Sequence, residues 1–167
     1  MVSKRFIKNT LLGAAVAGAV GGIGYLGKTQ TELVDRKYKR SKEYYDVTYQ
    51  WVLNKQNQKT PDNFFRDEDI KSIAIYGMGS LGELFYNELK DRDIVEVKYF
   101  IDQMADLYSY GLDNIPVRDC ESMMQEGTVD AVIVTPVHIF DDIKNNLQEQ
   151  GYHGKIFSLR DVMEQMA

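Results

Sequence analysis

The stretch "SIAIYGMGSLGELFYNELKDRDIVEVKYFID", residues 72–102, limits the fold more than any other part of the chain. Residues 72–76 are short, apolar and partly β-branched, as a buried strand is. Glycines follow at once at 77, 79 and 82. Leu81, Leu84, Phe85 and Leu89 then recur at i, i+3, i+4 and i+8, which predicts an amphipathic helix with these four side chains inside. "VEVKYFID" is a second strand ending at Asp102. A helix this long between two strands returns the chain parallel to its start, because a tight turn cannot. The chain is therefore expected to build a parallel α/β sheet.

The glycines have the spelling G-x-G-x-x-G, and each has a separate physical task. Gly77 lets the chain turn sharply out of the strand. Gly79 carries no side chain, so a pyrophosphate can approach the backbone. Gly82 allows the helix to pack hard against the strand. The N–H groups of Ser80, Leu81 and Gly82, in the first helical turn, point at an anion, and the helix dipole adds to the attraction. Met78 lies within the same loop. Asp102 stands 20 residues beyond Gly82, where an acid accepts hydrogen bonds from ribose hydroxyls. It would repel a 2′-phosphate, which favours NAD over NADP.

The remainder continues the alternation. A short extended piece at 115–117 is followed by a helix over 119–126. "VDAVIVTP", 129–136, is the apolar run of a central parallel strand. A helix with Ile139, Ile143 and Leu147 inside follows, then a strand at 155–159 and a closing helix with Asp161 near its start. About five strands result. Thr135 and Pro136, with Val137 and His138 after them, end the central strand and belong on the rim where such sheets bind ligands. His138 is expected as a cap or a plain ligand contact. No Ser/His/Asp arrangement, metal-ligand cluster or paired carboxylate is spelled out, so no catalytic residue is assigned.

A second G-x-G-x-x-G, "GIGYLG" at 22–27, has the wrong surroundings. It closes the run "TLLGAAVAGAVGGIGYLG", 10–27, in which none of the 18 residues is charged. Ala and Gly are poor strand formers, and no second strand ending in an acid follows. As a helix the run would span about 27 Å, close to the hydrocarbon thickness of a bilayer. Basic residues flank it on both sides, more of them after than before, which puts the C-terminal side in the cytoplasm. Ala14, Gly18 and Gly22 share one helical face, as do Ala17 and Gly21, and such a face lets a second helix approach and a homo-oligomer form. The alternatives are a cleaved signal peptide or a segment lying in the membrane interface; without an anchor the protein would be simply cytoplasmic.

Residues 31–53 have helical periodicity. Leu33, Tyr38, Tyr45, Tyr49 and Val52 fall near one stripe, with Tyr44, Val47 and Trp51 beside it, and the helix is expected to lie against the following domain. A polar linker, 54–63, leads to a short helix with Thr60 as cap, Pro61 at its first position and Phe64 and Phe65 buried. Three parts follow: a membrane-anchor segment, 1–30; a helical linker, 31–70; and a nucleotide-binding domain, 71–167.

Charge supports that division. Residues 1–72 hold 13 Lys/Arg and 8 Asp/Glu; the rest hold 7 and 17. The first part suits an anionic surface. The second lacks the basic stripe that nucleic acid requires, so nucleic acid is not an expected partner. The lone cysteine, Cys120, allows no internal disulfide and is expected as buried filler.

The segments "IAIYGMGSLGELFYNELK", "VKYFID", "VDAVIVTP" and "IKNNLQEQGYHGKIFSL" resemble the compact Rossmann-like NAD(P)- or CoA-binding modules. More narrowly, they are similar to the small nucleotide-binding domains associated with bacterial surface-polysaccharide enzymes. The resemblance covers about 71–166. It implies Gly77, Met78, Gly79, Ser80, Leu81, Gly82, Asp102, Thr135 and Pro136 as cofactor-binding residues. The implied ligand is NAD, a nucleotide-sugar or CoA, and the implied partner a glycosyltransferase or sugar-modifying enzyme. The expected function is a membrane-tethered nucleotide-binding module. The alternatives are a small oxidoreductase or epimerase subunit completed by a partner chain, or a ligand-free interaction domain.

Overall fold

Alternate residues of the first strand serve two different cores. In β1, Ser72–Tyr76, Ile73 and Ile75 join one cluster, while Ala74 and Tyr76 join the other. The same period-two division runs along β4, Ala131–Val134, where Ala131 and Ile133 face one side and Val132 and Val134 the other. Strands buried on both faces need helices on both, and the apolar runs of the sequence follow from that.

The computed structural model describes residues 31–108 and 111–166. β1 and β4 are joined by β2, Glu96–Ile101, by the two-residue β3, Val117–Arg118, and by β5, Lys155–Ser158. The sheet order is β3-β2-β1-β4-β5, and every pairing is parallel. The register between β1 and β2 slips between Ile73 and Ala74, so that Lys98 is an extra residue on β2. At the start of the strands, Asp130 ties β4 to β1: one carboxylate oxygen accepts from the Lys71 and Ser72 N–H groups at 2.9 and 2.8 Å. Those two bonds hold its carboxyl below the usual carboxylate range.

The helices are α1, described over 31–56; α2, Asp62–Asp67; α3, Ser80–Leu89; α4, Cys120–Met123; α5, Phe140–Glu149; and α6, Leu159–Gln165. Buried side chains of α2, α3, α6 and the 43–56 part of α1 fill the first core; those of α4 and α5 fill the second. The chain leaves β1 toward β2 with its helix on one face, and leaves β4 toward β5 with its helix on the other. The reversal falls between β1 and β4, where open α/β sheets hold their ligands. The architecture is a Rossmann-like α/β fold, as the alternating pattern predicts. The chain separates into two compact units, 1–42 and 43–167, so residues 43–70 belong with the sheet.

Four sequence expectations are corrected. The stripe of α1 that packs inward is Tyr44, Val47, Trp51 and Asn54; Tyr45, Tyr49 and Val52 are exposed. Leu84 is 53% exposed, and Tyr86 takes the inner position on α3 instead. Ile139 is exposed, while Ile143 and Leu147 are buried as expected. At α2, Pro61 itself is the cap residue, one position later than predicted, and no side chain caps the helix. Residues 10–27 lie outside the described part. Among the described residues no helix is long and apolar enough to cross a membrane.

Asn54 fastens α1 to α6. It is 2% exposed. Its amide nitrogen donates to the Met163 carbonyl at 2.7 Å, and its oxygen accepts from Gln50 at 3.0 Å. Asn54→Ala would strand that buried carbonyl, at a cost of about 1–3 kcal/mol. At about 2–4 °C per kcal/mol for a domain of this size, a melt should show a clear fall in Tm. The exposed Asn57, changed to Ala, should leave Tm within about 1–2 °C of the parent.

Candidate functional site

The turn after β1 is shaped from both sides. Gly77 has φ +95°, a conformation that favours glycine. Its N–H donates to the Ile101 carbonyl at 2.7 Å, which ties the loop to the end of β2. A Cβ placed on Gly77 would stand 2.7 Å from Thr135 Oγ1 and 2.9 Å from Pro136 Cδ. One on Gly82 would stand 1.9 Å from the Gly77 carbonyl oxygen. Both glycines are therefore needed for packing alone.

Gly79 differs. Its φ of −84° is ordinary, and nothing lies within 4 Å of the place a Cβ would occupy. It is the cap residue of α3, without a side chain to satisfy the helix. Ser, Asp or Asn serves that position better. The first bond of the α3 ladder runs from the Glu83 N–H to the Gly79 carbonyl at 3.0 Å. The N–H groups of Ser80, Leu81 and Gly82 stand ahead of it, outside the ladder. Ser80 is exposed, and Leu81 is buried in the first core.

Asp102 turns toward this loop. One carboxylate oxygen accepts from the Met78 N–H at 2.9 Å, and the other from the Met104 N–H at 2.9 Å. Its own N–H donates to the Arg118 carbonyl at 2.9 Å. The half-buried carboxylate is thus fixed in direction by backbone donors. Each oxygen keeps capacity for a further donor. The Met104 contact is an Asx turn two residues on, which "IDQM" could have signalled from sequence.

Thr135 and Pro136 stand behind the loop. Thr135 is 3% exposed, and its hydroxyl faces the Tyr76 and Gly77 carbonyls at 3.0 and 3.2 Å. A hydroxyl has one hydrogen, so Thr135 serves the turn backbone. Pro136 packs against Gly77. His138, in the short 3₁₀ turn Val137–Ile139, meets the Tyr44 ring edge-on with centroids 5.3 Å apart.

Beside Asp102, Tyr76 is buried, and Cys120 Sγ lies 3.6 Å from its hydroxyl. Burial, then the Cys120 contact, pushes the Tyr76 phenol well above its usual value. Burial likewise pushes the Cys120 thiol up. Both groups stay protonated near neutral pH, so neither is poised as a base or nucleophile. The arrangement can hold an anion and a diol. No group of three or more His, Cys, Asp or Glu side chains spaced for a metal occurs among the described residues. No known protein-family model matches the chain, and a search of curated proteins finds no match.

Proposed function

We propose that this protein is a nucleotide-binding module, tethered to the cytoplasmic face of the membrane by residues 10–27. A phosphate sits on the Ser80, Leu81 and Gly82 N–H groups, and ribose hydroxyls donate to Asp102. One observation carries this reading: Gly79 has neither a conformational nor a packing reason to be glycine. An open Cα at the head of α3 leaves room for a ligand against the backbone. The orientation of Asp102 supports the ribose contact, and its charge favours NAD over NADP.

Isothermal titration of the full chain with NAD, NADP, a UDP-sugar and CoA tests it. NAD is expected to bind with Kd on the order of 1–100 μM, and NADP at least about tenfold more weakly. Absence of binding by all four at millimolar concentration would leave the glycine turn as scaffold only.

A further inference from the structure

Resting on the nucleotide reading, the charges around the mouth narrow the ligand further. The loops that follow the strands bring carboxylates to this edge of the sheet. Glu83 lies in the first turn of α3, Asp106 four residues beyond Asp102, and Asp141 and Asp142 in the first turn of α5. The arginines of these loops are engaged elsewhere: Arg118 pairs with Glu126, and Arg160 with Glu43. Among the described residues of these loops there is no lysine. An anion at Gly79 would therefore meet backbone dipoles, worth about half a charge at a helix start, and, among the described residues of these loops, no cation that is not already paired. A first phosphate can be held that way. A second or third would face only the like charge of the surrounding carboxylates.

A second observation points to a base rather than to a bare phosphate or free sugar. Met104 and Leu107, just past Asp102, are 56% and 71% exposed. Leu107 belongs to a 3₁₀ turn, Ala105–Tyr108, with no buried residue. Met104 is placed by its own bond to Asp102. Two apolar side chains standing in solvent beside a fixed diol acceptor provide a surface for the flat face of a nucleobase.

We infer that the mouth takes a ribonucleoside ligand with a free 2′,3′-diol and a single phosphate on the amides, any second phosphate needing a cationic group of the ligand to offset it. NAD fits this description, because the nicotinamide cation offsets one of its two phosphates. CoA, a UDP-sugar and free nucleoside triphosphates do not.

The test is calorimetry of the full chain with adenosine, AMP, ADP and ATP, and with the uridine series, without divalent cation and at low salt. Affinity should peak at the monophosphate, with the triphosphate at least about tenfold weaker. Added salt should narrow that gap by screening the carboxylates. Glu83→Gln should narrow it too, by helping the triphosphate more than the monophosphate. A triphosphate that binds as well as the monophosphate, or better, would overturn the inference while leaving the site intact. So would binding of NAD with no binding by either series. Failure of every nucleotide, NAD included, would instead remove the nucleotide reading itself.

Discussion

Gly82→Val is expected to lose most of the folded protein, and Gly82→Ala to lower Tm by about 6–12 °C. The Cβ of either residue would sit 1.9 Å from the Gly77 carbonyl oxygen. That neighbour is backbone, so it cannot swing aside as a flexible side chain can. Relief requires α3 to lift off β1, where Leu81, Phe85 and Leu89 are packed in the core. Alternatively, the turn at Gly77 must shift, and it is held by Ile101 and by the Thr135 hydroxyl. Overpacking against a fixed element costs about 3 kcal/mol or more. Thermal melts followed by circular dichroism measure it. A parent-like Tm for Gly82→Ala would mean that α3 does not approach β1 this closely.

Asp102→Ala is expected to abolish most nucleotide binding. Two charge-assisted contacts to a ribose, each about 1.5–3 kcal/mol, correspond to a loss of at least about 100-fold in affinity. The same change strands the Met78 and Met104 N–H groups, which are half-buried and exposed respectively. A stability loss of about 1 kcal/mol should therefore accompany it, far less than at Gly82. Calorimetry and melts on one preparation separate the two effects. Retained affinity in Asp102→Ala would detach the acid from the ligand.

The glycine turn is legible in sequence because Gly77 and Gly82 answer to local constraints. A sharp exit from a strand and a close helix–strand contact each need a small residue at a fixed offset. The strand pattern was legible for a similar reason, since β1 and β4 are apolar on both faces only when both faces are covered. What was not legible depends on partners distant in sequence. Two stripes of α1, one through Tyr45 and Val52 and one through Val47 and Trp51, have equal claim by periodicity. The choice is made by Phe85 on α3, whose ring meets Trp51, and by the Met163 carbonyl on α6, which takes Asn54. Leu84 is apolar and correctly spaced, but the inner position falls to Tyr86, which packs against Phe100. Thr135 follows β4 at the carboxyl end of the sheet, as the strand pattern predicts, but its hydroxyl faces the Tyr76 and Gly77 carbonyls. No spacing rule indicates which way a rim hydroxyl points.

Gly79 is where scaffold and ligand site make opposite demands, and Gly79→Val compares them in one variant. Its Cβ would have no heavy atom within 4 Å, so the fold should keep its Tm within about 2–4 °C. The same side chain would fill the place assigned to the phosphate. Titrating NAD into the parent and into this variant should give a saturating heat in the first and none in the second. Equal affinity in both proteins would contradict the account.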